Sequence, residues 1–174
     1  MAVAVLMVGA SGAGKTTATL ALCMTYPSMV VCSADSFFLN EGVYSFQYSR
    51  LGEAHKTCQR KFEAAVCRKE PLVVVDNTNV NAKERAFYIR TAMDNGYTVI
   101  IHVLESPVDI CAARNVHGVT RDIVERMVSR LDLQPGTYVV IDRPRGVNEG
   151  PVYAKVKRQG TLTELVENIR GKII

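Results

Sequence analysis

Met1-Ala-Val-Ala-Val-Leu-Met-Val8 runs directly into Gly9-Ala10-Ser11-Gly12-Ala13-Gly14-Lys15-Thr16. The first eight residues are apolar and β-branched, which suits a short strand covered on both faces. The next eight spell G-x-x-x-x-G-K-[ST], the phosphate-binding loop. Thr17-Ala-Thr-Leu-Ala-Leu-Cys-Met24 then reads as helix. Strand, loop and helix in this order are the context in which the motif has a mechanism.

Glycines at 9, 12 and 14 allow backbone conformations that a Cβ forbids, so successive N–H groups can turn inward. The loop opens onto a helix N-terminus, which favours an anion. Lys15 brings a compact positive charge for the β- and γ-phosphates, and the Thr16 hydroxyl is a ligand for Mg²⁺. Residues Gly9, Ala10, Ser11, Gly12, Ala13, Gly14, Lys15, Thr16 and Thr17 are therefore expected to hold ATP with Mg²⁺.

Outward from this loop, the chain predicts one α/β domain over residues 1–174. Its composition, 48% hydrophobic and 22% charged, is that of a globular protein, and its net charge of +4 permits an anionic substrate without demanding nucleic acid. Cys23, Cys32, Cys58, Cys67 and Cys111 form no C-x-x-C pair, so reduced thiols and a cytoplasmic setting are expected (the host's cytoplasm for a viral protein). The apolar N-terminus lacks a basic leader and a cleavage site, and no apolar run approaches the roughly 18 residues of a membrane span.

Five strands are expected: 1–8, Met29–Ser33, Pro71–Asp76, Tyr97–Leu104 and Thr137–Asp142, with Val152–Val156 as a small addition. Helices are expected over about Tyr48–Lys69, with Leu51, Cys58, Phe62 and Ala65 on one face. Another runs from an Asn81 cap with Glu84 to about Asp94, where Asn95-Gly96 stops it. Pro107 opens one that ends near Asn115, Thr120 caps Arg121–Leu131, and Thr161–Arg170 closes the chain. Strands alternating with helices imply a parallel sheet with helices on both faces and ligands at the strands' carboxyl ends.

Asp35 and Asp76 both fall at those ends. Asp35 is the candidate general base for an acceptor hydroxyl, set against a turn or cap role. Asp76 is placed on the metal side with Thr16, against a role in the Asn77-Thr78-Asn79 turn. A Gly-containing break flanked by Arg114 and Arg121 suits a lid over about 114–131 that closes on the triphosphate, with Arg126 on a solvated face. Arg114 and Arg121 are assigned to catalysis and Arg114 also to the nucleotide. Phe37, Phe38, Tyr44 and Phe46 form either a nucleobase platform or a core lining, the second being favoured. His55 is expected to be partly buried and satisfied. Arg143, Arg145, Lys155, Lys157 and Arg158 make an extension over about 143–174 basic, and Arg143 and Pro144 are weak candidates to border an adenine.

Taken together, Gly9–Thr16, Ser33-Ala-Asp35-Ser-Phe-Phe38, Gly42, Tyr44, Ala54-His55, Val75-Asp76-Asn77-Thr78-Asn79 and Arg114–Val119 resemble the 5′-hydroxyl polynucleotide kinase family of phosphate-loop kinases. The likeness is to the phage enzyme's kinase domain and the kinase-like domain of animal Nedd-binding proteins. It covers about residues 3 to 131. The resemblance implies strand order 2-3-1-4-5, Lys15 and Thr16 on ATP·Mg, Asp35 as base, and a lid arginine on the transferred phosphoryl group. Ser36 stands where the phage enzyme has a second acid, and Phe38 where it has a basic substrate contact. The phage enzyme's lid arginine falls near His117, which leaves Arg114 or Arg121 to supply that charge. The leading expectation is an ATP-dependent kinase acting on a nucleic-acid hydroxyl, best a 5′ end. Kinases of hydroxymethyl-pyrimidines in phage DNA, a nucleoside or sugar kinase, and a non-catalytic ATP-binding module are the alternatives.

Overall fold

The computed structural model describes residues 1–115, 118–142, 152–157 and 160–171. The elements in chain order begin with β1 (Val3–Val8), α1 (Lys15–Thr25) and β2 (Val30–Cys32). A 3₁₀ turn over Asp35–Phe38 leads to a two-stranded hairpin of β3 (Leu39–Asn40) and β4 (Val43–Tyr44). Then come α2 (Leu51–Cys67), β5 (Leu72–Val75), α3 (Ala82–Asp94), β6 (Thr98–Val103), α4 (Val108–Arg114), α5 (Arg121–Ser129), β7 (Thr137–Asp142), β8 (Val152–Lys157) and α6 (Leu162–Arg170).

The main sheet has the order β2-β5-β1-β6-β7-β8. Counting only its own strands, that is the expected 2-3-1-4-5, with the small added strand at the edge. β1 lies in the middle and is buried throughout. Its alternation serves two cores. Val3, Val5 and Met7 pack with Leu22 of α1 and with Leu162, Val166 and Ile169 of α6. Ala4, Leu6 and Val8 face the other way, toward Phe62 of α2 and Tyr88 of α3. The Phe62 and Tyr88 rings meet edge to face at 5.1 Å. Helices on both faces explain why these strands read as unbroken apolar runs.

One strand departs from expectation. β2, β5, β1 and β6 are parallel, but β7 runs antiparallel to β6, with Thr137 opposite Val103. The cause is the connection. α4 has seven residues, about 10 Å of helix, against roughly 20 Å for a six-residue strand. It packs over the phosphate loop instead of carrying the chain back along the sheet. The chain therefore enters β7 from the carboxyl end, where the Gly136 N–H donates to the Val103 carbonyl at 2.9 Å.

Helix ends follow local chemistry. The Asn81 side chain accepts the Glu84 N–H at 3.1 Å, and the Glu84 carboxylate accepts the Val80 N–H at 2.9 Å. Thr161 and Glu164 form a capping box on α6. α2 is shorter than expected: Tyr48–Arg50 forms a 3₁₀ turn, and Lys69 at φ 59° ends the run beyond Cys67. Thr120 stands at the head of α5 without a side-chain cap. No helix among the described residues is long and apolar enough to cross a membrane. His117, Arg143, Pro144, Arg145 and Arg158, and the side chains of Lys155 and Lys157, lie outside the described residues.

Candidate active site

The phosphate loop is held from three sides. The Gly9 N–H donates to the Thr78 carbonyl at 3.0 Å, fixing the loop to the turn after β5. The Ala10 N–H donates to Ser106 Oγ at 3.3 Å, and the Ala13 N–H returns to the Ala10 carbonyl at 3.2 Å. Gly12, at φ 82°, lies under α4: a Cβ there would stand 2.1 Å from the Cys111 carbonyl oxygen. Gly14, at φ 91°, leads into α1, whose first turn no side chain caps. Both φ values belong to the left-handed region that glycine enters freely. Uncapped N–H groups at a helix start leave donors for an anion.

A cavity of about 510 Å³ opens over this loop. Gly12, Gly14, Lys15, Thr16, Thr17 and Arg114 contribute to its wall, as do Asp35 and Asp76 from the strand ends. Lys15 Nζ donates to the Ala10 carbonyl at 2.7 Å. Burial pushes its ammonium below the ordinary value of 10.5, against the pull of Asp76 and Asp35. Asp76 is 8% exposed. Burial raises its carboxyl above 3.8, while the Thr16 hydroxyl and the Lys15 charge pull it down. For both groups desolvation outweighs pairing, so the site is short of compensating charge. A triphosphate would favour charged Lys15, and a divalent cation would favour ionised Asp76. The Thr16 hydroxyl and the Asp76 carboxylate are hard oxygen donors on one wall, a set that fits Mg²⁺.

Asp35 is exposed at the head of the 3₁₀ turn that follows β2. Its N–H donates to Ser33 Oγ at 3.2 Å, and the Tyr44 hydroxyl donates to its carboxylate at 3.4 Å. Asn77 holds the backbone just before it, since its Oδ1 accepts the Ala34 N–H at 2.9 Å. Beyond Asp35 lies a second, smaller cavity of about 190 Å³. Tyr44, Phe46, Leu51, His55, Val119 and Met127 form its distinctive wall. Ser11, Asp35, Asn77 and Thr78 line both cavities.

The structure thus gathers the loop, Asp35, Asp76 and Arg114. Arg121 stands apart: its guanidinium pairs with Asp109 and with Glu125 at 3.1 Å, and it lines neither cavity. Arg126 lies on an exposed helix face and bonds the Asp122 carbonyl. The aromatic cluster divides its work, because Phe38 is buried at 5% exposure whereas Tyr44 and Phe46 are 37% and 47% exposed at the second cavity. His55 is exposed, contrary to the partly buried position its helix pattern suggests. Asn79, at φ 46°, is structural: its Nδ2 donates to the Met7 carbonyl at 2.9 Å. Asn77 and Val119 fall within stretches of the family resemblance without a role assigned to them, and Ser106 and Met127 carry no sequence signal of their own. The nearest clue is that Asn77 follows the acid of a strand end.

The fold and its loop define a phosphate-loop kinase-like protein. Residues 5–134 match the family described as an AAA domain, AAA_33, and the chain belongs to that family. It is 33% identical over 131 residues to human NEDD4-binding protein 2, an alignment covering 72% of this chain and 7% of that protein. A chain in the Pnkp1/Rnl/Hen1 RNA repair complex superposes with a TM-score of 0.63 at 20% identity, over 75% of this chain and 44% of that one. The APS kinase CysC of Mycobacterium tuberculosis, in complex with AMPPNP and APS, gives 0.51 at 18% identity, over 97% and 95%. The chain thus spans a small part of the curated relative and under half of the chain in the RNA repair complex.

Proposed function

We propose that the protein is an ATP-dependent kinase that transfers the γ-phosphoryl group to a hydroxyl of nucleic acid, best a 5′-OH end of DNA or RNA. One observation carries this reading: Asp35 lines the phosphate cavity and the aromatic-walled cavity at once. A carboxylate at such a junction takes the acceptor proton while the freed oxygen attacks the γ-phosphorus. The bond from that phosphorus to the β–γ bridging oxygen breaks, and ADP leaves. Lys15 and Arg114 neutralise charge on the phosphates. Thr16 and Asp76 would hold Mg²⁺, which when bound offsets phosphate charge. The segment from Arg114 to Leu131 acts as the lid. Asn115 ties its start to the loop by accepting from the Ser11 hydroxyl at 3.4 Å, and within the segment it donates to the Val119 carbonyl. The likeness of the fold to a chain of an RNA repair complex is consistent with nucleic acid as acceptor.

A second reading, transfer to a small alcohol such as a nucleoside or sugar, draws on the acceptor cavity itself. At about 190 Å³ it is smaller than most ligand sites, which suits a compact acceptor. The test is transfer of labelled γ-phosphate from ATP·Mg to 5′-hydroxyl DNA and RNA, 5′-phosphorylated controls, 5′-phosphorylated DNA carrying hydroxymethyluracil, and small alcohols. Asp35→Asn runs beside the wild type. Label on 5′-hydroxyl strands, lost in Asp35→Asn with ATP binding intact, is the expected result. Label only on the hydroxymethylated DNA or the small alcohols would move the acceptor accordingly. ATP binding without any transfer would overturn the enzyme reading in favour of a binding module.

A further inference from the structure

Asn77 stands between the two cavities and lines both. Both polar atoms of its buried side-chain amide are engaged. Oδ1 accepts the Ala34 N–H at 2.9 Å. Nδ2 donates to Cys58 Sγ and to the Tyr88 hydroxyl oxygen, each at 3.4 Å. The Tyr88 hydroxyl in turn donates to Cys58 Sγ at 3.4 Å, which closes a triangle. Its corners come from the turn after β5, from α2 and from α3. Cys58 and Tyr88 are each 2% exposed, and Tyr88 lines neither cavity. Burial pushes the Tyr88 phenol and the Cys58 thiol up, so both keep their protons at neutral pH.

The triangle fixes which way the amide faces. Turned over, it would set its NH₂ group against the Ala34 N–H, donor to donor, and leave a buried backbone donor without a partner. Packing does not explain the Tyr88 hydroxyl. The Tyr88 ring meets Phe62 edge to face at 5.1 Å and Phe87 at 5.6 Å, contacts that a phenylalanine would make equally. The hydroxyl is spent on Asn77 and Cys58. Ala34, at the far side of the amide, immediately precedes Asp35, so a shift of its backbone moves the Asp35 carboxylate. We propose that Tyr88 is a positioning residue for phosphoryl transfer: through the Asn77 amide it fixes Ala34, and so places the Asp35 carboxylate for the acceptor hydroxyl. The inference rests on the reading that Asp35 accepts the acceptor's proton. Tyr88 itself touches no substrate and moves no proton.

The experiment compares wild type with Tyr88→Phe, which removes the hydroxyl and keeps the ring contacts on which folding depends. Values of kcat and KM are measured with ATP·Mg and a 5′-hydroxyl oligonucleotide, and exchange of the Ala34 amide hydrogen is followed by NMR. Misplacing a reacting group by about 1 Å costs about a hundredfold in rate. Tyr88→Phe is accordingly expected to lower kcat about tenfold to a hundredfold, with both KM values within about twofold of wild type. Exchange at Ala34 should quicken by more than exchange at the amides of β1 and β5, which report the stability of the whole fold. A merely structural role would quicken all of them alike. An unchanged kcat, or an Ala34 rate that changes no more than those of β1 and β5, overturns the assignment. Absence of transfer by wild type to any acceptor sinks the kinase reading instead. The exchange then still decides whether Tyr88 holds Asn77 and Ala34: selective quickening at Ala34 supports it, and a uniform change or none overturns it.

Discussion

On one side of Asp35, a single loop presents backbone to the phosphate cavity. On the other, Tyr44, Phe46, Leu51, His55, Val119 and Met127 arrive from the hairpin and the residues after it, from α2 and from the region of α5 to wall the second cavity. The first wall depends on φ values and a helix start. The second depends on side chains from separated segments. A loop of the first kind tolerates few substitutions and binds one ligand chemistry. A wall of the second kind can be altered residue by residue, which suits a fold whose relatives act on different acceptors.

The sharpest way to break this division is to compare Lys15→Ala with Asp35→Asn. Both should lower transfer by about 10² to 10⁴-fold, the range for a lost charge-stabilising or acid–base group. Only Lys15→Ala should also weaken ATP binding, as read by titration with a fluorescent nucleotide. Equal loss of ATP affinity in Asp35→Asn would mean that the two cavities are one binding unit. A smaller effect follows from Gly12→Ala. The left-handed φ alone costs about 1–2 kcal/mol, and the added Cβ meets the Cys111 backbone carbonyl, which only a shift of α4 relieves. ATP affinity should fall about a hundredfold, with a lower Tm, while acceptor KM changes much less.

The same division explains what was legible before the fold. The loop was readable because its requirements are local: glycines, lysine and threonine at fixed spacing between an apolar run and a helix. Asp35 and Asp76 were readable as acids at strand ends; the alternation of elements implied a sheet with helices on both faces, and the strand order came from the family resemblance. The direction of β7 was hidden because it depends on how short α4 is and where it packs. The exposure of His55 was hidden because α2 begins at Leu51 and turns that side chain to the cavity rim. The Arg121–Glu125 pair is an i,i+4 contact within α5 that spacing offers, but the pair with Asp109 joins α5 to α4, and spacing alone does not bring those two together. Asn77 supports Asp35 through a backbone N–H, a contact no motif encodes.

The acceptor wall is sharpened by Phe46→Ala. Stacking of a base on an aromatic side chain is worth roughly 1–3 kcal/mol. Because Phe46 also lies 5.0 Å from the buried Phe38 ring, part of any loss would be packing. Acceptor KM should rise about tenfold for an oligonucleotide, with ATP KM unchanged. Phe46→Tyr should retain most of the affinity. If Phe46→Ala leaves acceptor KM untouched, the aromatic side of the cavity is structural and the base lies elsewhere.

The smallest expected effect lies on the phosphate side, at Asp76. Its carboxyl is held above the ordinary 3.8 by burial. It therefore binds its proton more tightly in the folded state than in the unfolded state. This group's contribution to stability is then greatest at low pH and declines as pH rises from 3.8 through the folded value. Asp76→Asn removes that decline, so in nucleotide-free protein the difference in Tm between variant and wild type should drift in the variant's favour across that window. Mg²⁺ with ATP reverses the balance by favouring the ionised carboxylate. Wild type should then gain more Tm from ATP·Mg than from ATP with chelator, and Asp76→Asn should lose most of that extra gain. If both proteins gain equally from the cation, Asp76 is not on the metal side, and Thr16 with the phosphates accounts for the metal's binding.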